Sequence, residues 1–196
     1  MHIDESILNT YGAVITKHKK GEIIFEEGST PRFYYQVKTG CIKMISTNEE
    51  GRVFIQGFFG ENQSFGEPPL LLNQAYPSSA ISGESTTLIK ISQEKFLKLL
   101  DNNPQIAKTL LFIFAERIYS KATIAQILVC HSPEEKIICF FNKLKRDAKV
   151  TSDFLIPLTR QEIADSIGLR VETVIRCLIK LSNLKKVTIT NHKVIY

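Results

Sequence analysis

The 196-residue sequence contains no C-x-x-C pair, no long apolar run and no His between His18 and His131. Each absence removes a class of function. The cysteines Cys41, Cys130, Cys139 and Cys177 are scattered, which argues against a zinc cage or a disulfide framework and for reduced thiols. No apolar stretch approaches the length of a bilayer span, and Met1-His2-Ile3-Asp4-Glu5-Ser6 lacks the charged-then-apolar pattern of a secretion signal. A cytoplasmic protein without a membrane partner is expected. No His lies between His18 and His131, so the strand-rich half has no ligand set for a cupin-like metal oxygenase. The expectation is no enzyme, no catalytic residues and no metal.

What is present is a globular composition, 43% hydrophobic and 23% charged, with a net charge of +5. The charge has a location. Residues 131–196 hold 12 Lys/Arg against 7 Asp/Glu, whereas residues 1–130 hold 13 of each sign. A basic segment on a neutral body is the electrostatic footprint of a nucleic-acid-binding module, because neutralising phosphates supplies most non-specific affinity.

The chain divides into three parts: 1–103, 104–131 and 132–196. Between Gly21 and about Ile91, Gly and Pro punctuate short runs rich in β-branched and aromatic residues, such as Phe33-Tyr34-Tyr35-Gln36-Val37 and Thr87-Leu88-Ile89-Lys90-Ile91. Many short strands at close spacing predict an antiparallel sandwich or barrel, with Asn48-Glu49-Glu50-Gly51 as a hairpin connection. After Pro104 neither Gly nor Pro recurs until Pro133, which predicts one long helix. Leu111, Phe114, Ile118, Lys121, Ala125 and Leu128 fall at alternating steps of three and four, an a/d seam for pairing with a second copy. Lys121 is awkward in such a seam.

Ser132-Pro133-Glu134-Glu135 signals a new helix start, and Thr159-Arg160-Gln161-Glu162 a second capping box. The short helix it opens stops at Gly168, where a tight turn needs a positive φ. From about Arg170 to Ser182 a further helix places Val174, Leu178 and Leu181 on one face and Glu172, Ile175 and Arg176 on the other. This is a helix-turn-helix, followed by two β-like runs about Asn191-His192 that resemble a wing. Glu172 and Arg176, four apart, suit a surface ion pair; they equally suit a major groove, where Arg bridges guanine and Glu accepts from cytosine.

These residues resemble the Crp/Fnr family of bacterial transcription regulators over essentially the whole chain. The likeness rests on Gly21-Glu22-Ile23-Ile24-Phe25-Glu26-Glu27-Gly28, Phe65-Gly66-Glu67, Ser78-Ser79-Ala80, Glu116-Arg117-Ile118, and Thr159 to Leu178. It implies an α+β fold: an N-terminal cyclic-nucleotide-binding-like antiparallel β-roll, a long dimerisation helix and a C-terminal winged helix-turn-helix. It further implies a homodimer reading a palindrome in double-stranded DNA. Thr159, Arg160 and Gln161 would hold phosphates, Glu172 and Arg176 would read bases, and Gly168 and Val174 would be scaffold. Val171-Glu172 is similar to the Fnr branch. Arg170 stands where a Ser/Thr N-cap is usual and adds a phosphate contact, while Ile175 replaces a small or polar residue and suits a thymine methyl. RNA polymerase would be a partner if the protein activates.

The resemblance places an effector pocket at Gly66, Glu67, Ser78, Ser79 and Lys121. Members that bind cyclic AMP pair its phosphate with an Arg where this chain has Ser78, and losing that guanidinium leaves a buried anion uncompensated. Lys121 would be a poorer substitute. Residues 1–40 contain no Cys for an iron–sulfur cluster of the Fnr type. No cofactor is expected; haem stays open, but no two candidate ligands come together in the sequence. The alternative reading is a haem- or small-ligand-sensing module acting through protein contacts without DNA.

Overall fold

The computed structural model describes residues 3–196, which form two compact units, the first ending at Glu116 and the second running Arg117–Tyr196. The first unit begins with helix α1 (Glu5–Thr10), capped by Asp4, whose side chain accepts from the Ser6 amide. Strands β1 (Val14–His18), β2 (Ile23–Phe25), β3 (Phe33–Thr39), β4 (Ile42–Thr47), β5 (Val53–Phe59) and β6 (Ser64–Phe65) follow. Helix α2 (Glu67–Leu72), strands β7 (Ser79–Ser82) and β8 (Thr86–Ser92), and helix α3 (Gln93–Asn102) complete it. Helix α4 (Pro104–Leu128) runs on from there into the second unit.

The eight strands make two four-stranded antiparallel sheets, ordered β1-β8-β3-β6 and β2-β7-β4-β5. Strand β3 is buried continuously from Tyr34 to Val37 because both of its faces are covered. Tyr34 enters a core with Leu8, Ile89, Phe96, Leu99 and Leu110, and its ring stacks on Phe96 with centroids 4.4 Å apart. Tyr35 and Val37 point the other way, into a second core with Phe25, Ile42, Met44, Phe65, Tyr76 and Leu88. Gln36 is buried yet satisfied: its amide accepts from the Ile3 N–H at 2.9 Å and donates to the Ile3 carbonyl at 3.0 Å. The Asn48 turn forms as expected, with the Asn48 side chain accepting from Arg52 N at 2.8 Å and Gly51 at a φ of 76°.

In the second unit, α5 (Pro133–Asp147) starts at a complete capping box of Ser132 and Glu135. Helices α6 (Arg160–Ile167) and α7 (Val171–Asn183) and the hairpin β9 (Thr188–Thr190) and β10 (Lys193–Ile195) follow. Ile137, Phe141, Ile163, Ala164, Ile167, Val174, Leu178, Leu181 and Val194 share one core. The hairpin gains a third strand from the loop before α6, since Phe154 N donates to Tyr196 O at 2.8 Å and Ile156 N to Val194 O at 2.9 Å. This unit is a three-helix winged domain. Among the described residues no helix is long and apolar enough to cross a membrane.

Helix α4 places the residues of the expected seam differently from one another. It ends at Leu128 rather than at His131, and Phe114 packs against the core of the first unit. Leu128 lies beside Gly168 in the second unit. The apolar residues that stay exposed include Leu111, Ala115, Ile118, Ala122 and Ala125, with Val129 just past the helix end, again at steps of three and four, and also Phe112 and Tyr119. The two series share Leu111, Ile118 and Ala125; they differ where packing takes up Phe114 and Leu128 and leaves Ala115, Ala122 and Val129 exposed. Lys121 is off the exposed apolar series; its ammonium pKa is lowered by desolvation and, secondarily, by the charge of Lys143.

Candidate nucleic-acid interface

The interface is built on a local scaffold that the sequence dictates in detail. The Thr159 hydroxyl accepts from the Glu162 amide at 3.2 Å while the Glu162 carboxylate accepts from Thr159 N at 2.8 Å, satisfying two of the orphan donors at the start of α6. Gly168 closes α6 in the left-handed region at a φ of 66°, a conformation costly for residues with a Cβ. Arg170 then caps α7 with its backbone only, and its side chain is exposed.

Helix α7 has two unlike faces. Val174, Cys177, Leu178 and Leu181 are buried; Glu172, Ile175, Arg176, Ile179 and Lys180 are exposed. Among the described residues neither Glu172 nor Arg176 makes an ion pair or hydrogen bond, so the alternative of an i,i+4 bridge is not formed and both side chains remain available. Ile175 and Ile179 are 41% and 53% exposed, an apolar strip on an otherwise charged surface. The second of these, Ile179, escaped the sequence reading although it lies one turn beyond Ile175. Val171 is half-buried against the core.

The candidate phosphate-holding residues are placed less uniformly. Gln161 is exposed, and its amide donates to Asp165 at 2.8 Å. The Arg160 guanidinium donates to the His192 carbonyl at the wing turn, where Asn191 and His192 both have positive φ. Arg160 therefore ties the start of α6 to the wing, a positioning contact that its sequence context did not reveal. Across the domain, Lys180 pairs with Glu134 at 2.7 Å, joining α7 to α5; the bond and charge of Lys180 lower the Glu134 pKa, and Glu134 raises that of Lys180.

In the first unit, Gly66 caps α2 at a φ of 77°, and a Cβ there would lie 3.2 Å from the rings of Phe25 and Tyr76. Glu67 is fully buried and accepts from the Ser64 hydroxyl. Ser78 is buried, while the Ser79 hydroxyl accepts from Glu27 N at 2.9 Å. Rings crowd Gly66: Phe25 stacks on Tyr76 with centroids 3.6 Å apart, and in the same core Tyr35 stacks on Phe65 at 5.3 Å. The Tyr76 hydroxyl is buried with no hydrogen-bond partner, and burial, with smaller contributions from Tyr35 and Glu67, raises its pKa. Among the described residues no group of three or more His, Cys, Asp or Glu is placed to hold a metal ion.

Comparison with known proteins places this architecture. Residues 15–103 match the family described as Cyclic nucleotide-binding domain, and residues 135–196 the Crp-like helix-turn-helix domain. The chain is 31% identical to the transcriptional activatory protein AadR of Rhodopseudomonas palustris, over 86% of this chain and 71% of that one. It is 27% identical to the transcriptional activator protein anr of Pseudomonas aeruginosa, over 81% of this chain and 66% of the relative, a little under two thirds of its length. Among solved structures, FixK2 of Bradyrhizobium japonicum superposes with a TM-score of 0.77 at 22% identity, covering 93% of this chain and 91% of that one. CLP of Xanthomonas campestris, described as a c-di-GMP responsive global regulator, superposes with a TM-score of 0.82 at 19% identity, covering 97% and 98%. The chain belongs to the Crp/Fnr family of transcription regulators.

Proposed function

We propose that this chain acts as a homodimeric, cytoplasmic, sequence-specific DNA-binding regulator divided into a sensor β-roll (1–103), a dimerisation helix (104–131) and a DNA-binding domain (132–196). The observation that carries the reading is the α7 surface, where Glu172 and Arg176 stand unpaired and exposed on a helix whose opposite face is locked into the core. Arg176 donates bidentately to a guanine, Glu172 accepts from a cytosine, and Ile175 covers a thymine methyl. Thr159, Gln161 and Arg170 line the phosphate backbone, and Arg160 fixes the wing that follows it. Two copies joined along α4 present their α7 helices to successive major grooves about 10 base pairs apart. AadR and anr are named as activators; if this chain activates too, RNA polymerase is a further partner.

The sensor residues do not fit a cyclic nucleotide. Ser78 offers no guanidinium to a phosphate, and the Phe25–Tyr76 stack crowds Gly66. DNA binding without a cyclic nucleotide follows. Selection from a random double-stranded DNA library with purified protein, at one stated salt concentration and without effector, tests this. Enrichment of a palindrome supports the reading; weak, salt-sensitive binding with no preferred sequence overturns it.

A further inference from the structure

We propose that Cys130 and Cys139 form a redox-active dithiol, which a small disulfide oxidises to an intramolecular link between the end of α4 and the body of α5. The two thiols line one cavity of about 360 Å³, bounded on one side by Thr123 and Gln126 of α4 and on the other by Asn142 and Arg146 of α5. All of these residues lie within the second unit. Cys130 and Cys139 are the two cysteines among the residues that line it. Both are reachable, Cys139 being exposed and Cys130 half-exposed, whereas Cys177 is buried in the helix-turn-helix core. Rigid elements hold each thiol in place. Cys130 follows the end of α4 by two residues, with its N–H bonded to Ile127 O at 3.2 Å and its Sγ donating to Gln126 O at 3.6 Å. Cys139 rides on α5, whose start the Ser132–Glu135 capping box fixes.

Burial, then the charge of Cys130 and the sulfur hydrogen bond from it, and last Glu135, hold the proton on Cys139. Either thiol can attack first with the same product; one order begins at Cys130. Its thiolate attacks one sulfur of the small disulfide, forming a mixed disulfide and expelling one thiolate, which takes up a proton. Cys139 then gives up its proton and attacks the Cys130 sulfur, expelling the second thiolate. The balance is two protein thiols plus one small disulfide giving one protein disulfide plus two small thiols. Two cysteines that share a cavity are not needed for packing, since small apolar residues would fill such positions without reactivity.

Oxidised glutathione is the probe. The reduced, desalted full chain is exposed to it, free thiols are alkylated, and the products are read by intact mass and peptide mapping. The expected product has lost two hydrogens, contains a Cys130–Cys139 peptide and returns to the starting mass with dithiothreitol. Cys139→Ser accumulates a stable glutathione adduct on Cys130, Cys130→Ser forms no link, and Cys41→Ser behaves as the parent chain. Serine is close in size to cysteine, and circular dichroism of each variant checks that the fold is kept. Recovery of Cys130 and Cys139 both fully alkylated while Cys41 carries glutathione overturns the proposal, as does linkage only between chains. Neither outcome depends on DNA binding.

Discussion

Tyr76 carries a conflict that a single atom can remove. Its ring is packed face to face on Phe25, but its hydroxyl is buried with no partner, so the fold bears the desolvation cost of a polar group for no hydrogen bond. Tyr76→Phe keeps the stack and deletes the orphan. The variant is expected to be more stable by about 1 kcal/mol, measured by denaturant unfolding. The same residue sets a pH response. Its folded pKa is raised by burial above an unfolded value near about 10, so the stability tied to the neutral phenol is whole below that pH and is lost as pH rises beyond it. Tyr76→Phe should therefore flatten the alkaline limb of the stability profile without erasing it, because burial also raises the Tyr35 pKa. An unchanged alkaline limb would mean that the Tyr76 hydroxyl finds a partner in solution. On the DNA side, Arg176→Ala is expected to cost about 1–3 kcal/mol of binding, concentrated at one base pair, when affinities for single-base variants of the selected site are compared. A loss spread evenly over all sequences would instead make Arg176 a phosphate contact.

At the scale of elements, α6 depends on its two ends. Thr159→Ala removes the hydroxyl half of the capping box and is expected to destabilise the winged domain by about 1 kcal/mol, read from its unfolding midpoint. Gly168→Ala puts a Cβ on a left-handed residue at a φ of 66° and is expected to cost about 1–2 kcal/mol, although the Cβ itself would meet only Leu128 at 3.6 Å. These ends were legible in the sequence because caps are local chemistry: an oxygen, a glutamate three residues on, and a glycine where the chain must turn left-handed. The split of α7 into Val174, Leu178 and Leu181 against Glu172, Ile175 and Arg176 was legible for a related reason, since helical period alone sorts its faces. Strands β1, β6 and β7 and helices α1, α2 and α3 were not separately read. Val14–His18 carries exposed Val14 and Ile15, Ser64–Phe65 is two residues long, and Ser79–Ser82 is half serine; each is a strand because a neighbour pairs with it. The Arg160 contact to the wing was hidden for the same reason, as 32 residues separate its partners.

For the whole molecule the decisive surface is the exposed stripe of α4. Within the second unit, Ile118 and Tyr119 of α4 and Val129 just past its end are each more than 60% exposed, and small Ala122 and Ala125 lie between them, so that a second helix can approach closely; in the first unit Leu111 and Phe112 are equally exposed. Exposed apolar side chains of this kind are costly in water, and the proposed pairing of two copies would cover them. The sequence reading put Phe114 and Leu128 in the seam beside Leu111, Ile118 and Ala125, because they are as apolar as the residues that stay outside. The difference can be tested by charge. Ile118→Glu places a carboxylate on the exposed stripe, and in a dimer two copies of it would meet near the axis. It is expected to give a monomer by sedimentation while circular dichroism stays unchanged, and to weaken binding to the full palindrome far more than binding to a half-site. Phe114→Glu buries its carboxylate in the first unit's core, so it should instead lower the thermal stability of that unit. If Ile118→Glu stayed dimeric, the two copies would have to meet on another face, and the spacing of the two α7 helices argued above would fall with it.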